Sequence, residues 1–437
     1  MPQPICAPAT PLFPSAVAVV RVSGNDLATI LAPLVNLPTA RTAALRQLVW
    51  AGYSERALVL YFPAPASYTG EDVVELQLHG NPLLVRRFLD HLGQLGIRMA
   101  EPGEFTRRAL LNGKQGLLET EALRDLISAT TDQQIRQAQG RQGALPAWIT
   151  ETRAHITPWM ARAEAAVDYG EEEGIVLDLE ALKTDLAGLL KVFHVEQRRA
   201  GAARWLRDGI KVALVGRPNA GKSTLFNAMA GEDRAIVTEI PGTTRDVLEI
   251  RTEWAGLPLT LFDTAGLRDT GGLVERLGVE RVRAVLEQAD LILHLVPTTD
   301  VAIDEKILGR LAHFSEKVLQ VHTMSDLGDQ TPQKRTGPTI SALRGDLMAL
   351  REAMQARFLG DLSPDACLGA MATARQRELL DESVAQLELI FRLDSGCPPE
   401  LVASALQGMW GLLAALTGED RAESALDQVF SGFCLGK

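Results

Sequence analysis

Apolar positions along the chain change their spacing in three places. Up to about residue 115, the runs "AVAVVRV", "RALVLYF" and "DVVELQLHG" are rich in Val and Leu and bounded by Gly, Pro or Ser. That pattern predicts β-strands. "NPLLVRRFLDHLGQLG" instead spaces its apolar residues three and four apart and closes on Gly96, which predicts a helix. The first segment is therefore α+β. From about Leu117 to Asp208 the pattern is helical almost throughout, as in "LLETEALRDLISATTDQQIRQAQ" and "DLEALKTDLAGLLKVFHVEQRRA". The acidic run "DYGEEEG", Asp168 to Gly174, interrupts it and reads as an exposed loop.

From about 210 to 360, "KVALVG", "LPLTLFD", "DLILHLV", "KVLQVH" and "GPTIS" are strand candidates. Helical stretches separate most of them, so a largely parallel, doubly wound sheet is expected. After Pro364 the pattern is helical again, in "ARQRELLDESVAQLELIFRL" and "PPELVASALQGMWGLLAALTG". Helical stretches thus flank an α/β block, and an inserted domain is the simplest account. The expected division is an N-terminal α+β domain over 1–116 and a helical domain in two parts, 117–208 and 363–437. The inserted Ras-like P-loop domain occupies 209–362.

Within that block, "GRPNAGKST" (Gly216 to Thr224) follows a strand and opens a helix, the pattern of a phosphate-binding P-loop. Such a loop bends so that backbone N–H groups of Asn219, Ala220, Gly221, Lys222, Ser223 and Thr224 point at phosphate oxygens. Lys222 reaches the outer phosphates, and the Ser223 hydroxyl suits Mg²⁺. "PGTTRD" supplies Gly242 and Thr244, the second Mg²⁺ ligand; "DTAGL" supplies Asp263 for the metal's shell and Gly266 for the γ-phosphate. The three motifs in this order point to a GTPase rather than a generic ATPase.

The usual Asn-Lys-x-Asp base motif is altered to Thr323-Met324-Ser325-Asp326. Asp326 can still accept from the guanine N1–H and N2–H₂ edge, while Thr323 is shorter than Asn and Met324 lacks the ammonium. Guanine preference with weakened affinity is expected. Ser341 and Ala342, in "SAL", fill the last base loop. Leu267 stands where a Gln orients water in Ras-like proteins and cannot hydrogen-bond. Two residues offer compensation: Asn219, by ligating a monovalent cation, and Glu275, by positioning water. Glu275 also fits a solvated helix position.

Composition narrows the partners. The net charge is −11, from 44 Lys and Arg against 55 Asp and Glu, which argues against holding nucleic acid by bulk charge. Pairs such as Arg86-Arg87, Arg107-Arg108 and Arg198-Arg199 read as solvated faces. The four cysteines, Cys6, Cys367, Cys397 and Cys434, form no CxxC pair, which favours a reducing compartment over disulfides or zinc. With no signal-like start and no 18-residue apolar run, a cytoplasmic location is expected. The ending "SGFCLGK" does not match a prenylation box, because Gly436 and Lys437 follow the cysteine.

Taken together, these residues resemble the MnmE (TrmE) family of tRNA-modification GTPases. The resemblance rests on "RVSG", "SYTGED", "VELQLHG", "EPGEFTRRALLNGK", the three GTPase motifs and the closing "FCLGK". It implies an N-terminal domain that dimerises and binds a one-carbon tetrahydrofolate (5-formyl- or methylene-). Its contacts would be Arg21, Glu75, Lys114 and Lys437. It also implies K⁺ held by Asn219, Thr238, Ile240 and Thr243, with Glu275 positioning water. The implied partners are a second copy, the FAD-bearing MnmG (GidA) and tRNA, and the implied product carries a carboxymethylaminomethyl-type group on C5 of the wobble uridine, position 34. Cys434 fits either covalent chemistry or simple packing. "PLFPSAV" replaces the Gly-rich loop expected before "RVSG", at the edge of the folate pocket or dimer contact. The competing readings are an Era/EngA-like ribosome-assembly GTPase acting as an RNA-binding switch, and a signalling switch without chemistry of its own.

Overall fold

Period-two burial along Val-rich segments builds the first sheet. Val20 and Val22 of β2 (Ser15–Gly24), Ala57 and Val59 of β4 (Tyr53–Phe62), and Val74 and Leu76 of β5 (Asp72–Gly80) are buried on one face. That face packs on Val85, Phe88 and Leu92 of α2 (Pro82–Gln94). The Asn81 side chain caps α2 by accepting from the N–H groups of Leu83 and Leu84, as a helix start requires. The strands β1 (Ile5–Pro8), β3 (Ala44–Trp50) and β6 (Arg98–Met99) complete a six-stranded sheet of order β3-β4-β5-β2-β1-β6.

The computed structural model describes residues 3–143, 146–173, 176–231, 249–262, 282–299, 307, 309, 311–328, 336–394, 396–419, 429–430, 433 and 436. The chain forms two units, Met1–Arg124 with Leu413–Lys437, and Asp125–Leu412.

In the first unit the family-like motifs converge on a buried polar network. The Ser23 hydroxyl donates to Glu71 at 2.8 Å and meets Thr69 Oγ1 at 2.7 Å. Arg108 donates to Glu71 at 3.0 Å, to Glu104 at 2.9 Å and to the Gln3 carbonyl at 2.8 Å. Arg108 is 7% exposed, so half of the Arg107-Arg108 pair is a buried partner rather than a solvated face. It lies on α3 (Glu104–Leu111), while Glu71 closes the loop before β5. The last residues join this unit through Val429, Phe430 and Phe433, which cluster with Leu110 and Leu117. Gly436 has φ +95°, and a Cβ there would lie 2.1 Å from the Pro8 carbonyl oxygen. Only glycine fits.

In the second unit, β7 (Ile210–Gly216), β8 (Glu249–Trp254), β9 (Leu257–Phe262), β10 (Leu291–Pro297) and β11 (Val318–Thr323) order as β11-β10-β7-β9-β8. All neighbours are parallel except β8 with β9. The doubly wound expectation thus meets a mostly parallel sheet. "GPTIS" makes two isolated bridges, Thr339 with His322 and Ser341 with Asp346, rather than a strand.

Two helical expectations are corrected. The first helical run breaks into α4 (Leu117–Ser128) and α5 (Asp132–Gln139), because Thr131 turns extended and caps α5 through Gln134 N–H. The "DYGEEEG" run is not a loop up to Glu173: α6 (Ala147–Glu173) includes it, with Asp168 and Tyr169 exposed. Glutamates favour the helical backbone, and charge alone did not end the helix. Finally, Pro399–Thr417 is long and apolar enough to cross a membrane by length and composition. Its buried Val402, Leu406, Met409, Leu413 and Leu416 recur at helical spacing, as in a core helix. α7 (Leu179–Asp208) is capped by Asp178, whose side chain accepts from the Ala181 N–H. Cys6, Cys367 and Cys397 are free thiols.

Candidate functional site

The phosphate loop is shaped by its neighbours. A Cβ at Gly216 would stand 2.7 Å from the Leu295 carbonyl oxygen on β10, so the strand end must be glycine. Asn219 takes a left-handed φ of 63°, tolerated by a short polar side chain. Gly221, φ 87°, begins α8 (Lys222–Ala230) without a side-chain cap. The first N–H groups of α8 therefore remain available to an anion. Lys222 Nζ donates to the carbonyls of Gly216 at 3.0 Å and Arg217 at 2.6 Å, so its ammonium spans the loop. Ala220 is buried, and Ser223 and Thr224 are exposed at the helix start.

The end of β11 is tied to this loop. Thr323, 2% exposed, donates its hydroxyl to the Ala220 carbonyl at 2.9 Å. Its short side chain is therefore committed to the phosphate loop. Thr298 secures the following turn: its hydroxyl donates to the Met324 carbonyl at 2.8 Å, and its N–H to the Thr323 carbonyl at 2.8 Å. Met324 adopts φ 64° at that turn. Asp326 accepts from the Ser341 hydroxyl at 2.6 Å. That bond, aided by the nearby Arg344 charge, holds the Asp326 carboxyl below the usual range. Ser341 pairs with Asp346 through the backbone, and Ala342 packs on the core beneath. Loop, base strand and "SAL" thus form one connected rim.

Thr238, Ile240, Gly242, Thr243, Thr244, Asp263, Gly266, Glu275, Cys434 and Lys437 lie outside the described residues. Of the metal candidates, Ser223 offers a hydroxyl oxygen at the start of α8 and Asn219 an amide oxygen in the loop. Both donors fit hard cations. Among the described residues no three His, Cys, Asp or Glu side chains cluster as a metal site.

The first unit holds the other candidates. Arg21 and Glu75 are strand partners on the sheet face turned away from α2, and they pair at 2.9 Å. The Arg21 guanidinium lies 5.4 Å from the Tyr68 ring and 5.8 Å from the Phe105 ring. Tyr68 OH meets Thr106 Oγ1 at 2.8 Å. Lys114 Nζ donates to the Pro65 carbonyl at 2.9 Å. The loop 63–71 therefore carries Arg21 on one flank and Lys114 on the other. Gly436 abuts Pro8, whose neighbour Ala7 pairs with Arg21. A cation and a carboxylate beside aromatic rings suit a flat heteroaromatic acid.

Residues 4–114 match the family profile described as "GTP-binding protein TrmE N-terminus", and residues 117–434 match "MnmE helical domain". The chain belongs to the MnmE family. A "tRNA modification GTPase MnmE" of Alkalilimnicola ehrlichii is 39% identical over 447 residues, covering 99% of each chain. The MnmE of Methylorubrum populi is 40% identical, covering 100% of this chain and 98% of its own. That of Methylobacterium radiotolerans is 41% identical, covering 99% and 98%.

Sequence reasoning missed Thr298, Tyr68 and the clasp between Thr323 and Ala220. Thr298 directly follows the strand end "HLVP", which was its only signal. Tyr68 sat within a quoted motif but carried no chemistry until Arg21 was placed beside it.

Proposed function

We propose that the chain is a GTP-hydrolysing enzyme of tRNA modification. Mg²⁺ is held by Ser223 and Thr244. Backbone amides of residues 219–224 with Lys222 bind the phosphates, and Asp326 with Ser341 and Ala342 reads guanine. K⁺ at Asn219, Thr238, Ile240 and Thr243 supplies the positive charge that an arginine gives elsewhere, and Glu275 positions the attacking water. The observation that carries this reading is the Thr323–Ala220 clasp, which unites phosphate loop and base strand in a member of the MnmE family.

In the same reading the first unit binds a one-carbon tetrahydrofolate through Arg21, Glu75, Lys114 and Lys437, and pairs with a second copy. Exposed Val17, Leu45 and Val49 on its open sheet support an apolar mating face. With FAD-bearing MnmG, the dimer modifies C5 of the wobble uridine in the cytoplasm. The domain bounds are 1–116, 117–208, 209–362 and 363–437.

The test is GTP turnover in KCl against NaCl, with Asn219→Lys alongside. Faster turnover in KCl, abolished as a salt difference by Asn219→Lys, is expected; equal rates in both salts sink the potassium mechanism. Loss of the C5-modified nucleoside on gene removal, read by mass spectrometry, tests the tRNA role.

A further inference from the structure

The second unit contains a cavity of about 280 Å³. Its wall comes from the α4–α5 junction, one side of α5, the α7–β7 junction and the β8–β9 pair. Arg141, whose side chain is 4% exposed, lines it. Its Nη2 donates to Asp125 Oδ2 at 2.6 Å and its Nε to the Gln137 carbonyl at 3.4 Å. Arg141 Nη1 is buried with no hydrogen-bond partner among the described residues. Gln137, 1% exposed, also lines the cavity. Its Nε2 donates to the Ala370 carbonyl at 3.4 Å, while its Oε1 is buried and unmatched among the described residues. Two lining residues therefore each carry a buried unmatched atom, one a charged donor and the other a neutral acceptor. Native interiors rarely leave such atoms unserved.

The charges around them favour an anion. Arg141, Arg207, Lys211 and Arg251 line the cavity against Asp125, Asp208 and Glu249. Each carboxylate already has an arginine: Asp125 pairs with Arg141 and with Arg207 at 2.8 Å, Asp208 with Arg207, and Glu249 with Arg251 at 3.4 Å. Burial pushes the Asp125 carboxyl up, but hydrogen bonds and charge from Arg207 and Arg141 outweigh it and hold it low. The cluster thus retains an excess positive charge, with Lys211 at the exposed rim.

We propose that this cavity is a binding site for hydrogen phosphate, either free or as the head of a small hydroxylated monoester. A protonated phosphate offers charged acceptor oxygens to Arg141 Nη1 and an O–H donor to Gln137 Oε1. Sulfate offers only the first. The volume exceeds a lone phosphate, which leaves room for the ester's hydroxylated remainder or for water. Occupancy braces α5 against the β8–β9 pair, where Glu253 already accepts from the Gln133 N–H at 2.8 Å.

The test is calorimetric titration of the full chain saturated with GDP and Mg²⁺, so that the P-loop is filled. Inorganic phosphate is expected to bind once per chain, and sulfate several-fold more weakly. Arg141→Gln should weaken phosphate by about tenfold or more, the effect of losing one charge-assisted bond. Lys211→Glu, at an exposed position, should weaken it about fivefold by reversing a rim charge. Gln137→Leu should erase the preference over sulfate. Tighter binding of glycerol 3-phosphate than of phosphate assigns the monoester, and weaker binding assigns the free ion. If Arg141→Gln fails to fold, the Lys211 and Gln137 variants decide. No phosphate uptake by the wild type, or uptake indifferent to these variants, overturns the assignment.

Discussion

The Thr323 hydroxyl donates to the Ala220 carbonyl across 2.9 Å, and so the end of β11 holds the loop between β7 and α8. Both residues are nearly inaccessible, at 2% and 0% exposure. The two segments therefore cannot move apart without leaving a carbonyl unserved.

Thr323→Val keeps the shape and removes the donor. A stranded buried carbonyl costs about 1–3 kcal/mol, so GDP affinity should fall roughly 5- to 100-fold. Thr323→Ser should stay near wild type. Fluorescence titration with a labelled guanine nucleotide decides, and a Val variant that binds as tightly as wild type removes the clasp from the account.

Asp326→Asn should shift base preference. The carboxylate accepts from two guanine donors, whereas a carboxamide presents a donor that suits the C2 oxygen of xanthine. GTP affinity should drop about 10- to 100-fold, the effect of losing hydrogen bonds to a charged acceptor. Xanthosine triphosphate should gain in a competition titration. Unchanged GTP affinity would mean that the base is read elsewhere.

Acid should loosen the first unit through Glu104. Burial raises its carboxyl, but bonds from Arg98, the Glu101 N–H and Arg108 outweigh that and bring it from the ordinary 4.5 to about 2. The folded value lies below the unfolded one, so the unfolded chain takes up the proton first as pH falls. The contribution is complete above 4.5 and is lost on the way down to about 2. Denaturant midpoints should fall more steeply across that window in wild type than in Glu104→Gln.

Much of the fold was legible because strands and helices announce themselves by period. β2, β4, β5, β7, β9, β10 and β11 match apolar runs of the sequence, and α2 falls within the helical run that starts at Asn81. The short β1 and β6 were missed, since four and two residues carry no period. The Ser23–Glu71–Arg108 network was also invisible: a sequence gives charges but not which of them meet across a fold. The phosphate loop was readable because its glycines and lysine are dictated locally. The Thr323 clasp was not, because its partner lies 103 residues away.

Arg108→Met should destabilise the first unit strongly. It strands Glu71, whose side chain is 7% exposed, and breaking one side of a buried pair costs about 3–5 kcal/mol. Thermal or urea unfolding should show the loss, while a variant of exposed Arg86 should show almost none.

Gly436→Ala should release the tail, since its Cβ would meet the Pro8 carbonyl at 2.1 Å. Hydrogen exchange at Phe430 and Phe433 should accelerate without global unfolding. Unchanged protection would mean that the aromatic pair alone anchors the tail.

That docking has a consequence for biosynthesis. Residues 1–124 are completed by residues 413–437, so a segment made early must wait for one made much later. At about 5–20 residues per second the wait lasts roughly 15–60 s. During it, Leu110 and Leu117 lack the apolar cover that Val429, Phe430 and Phe433 later supply.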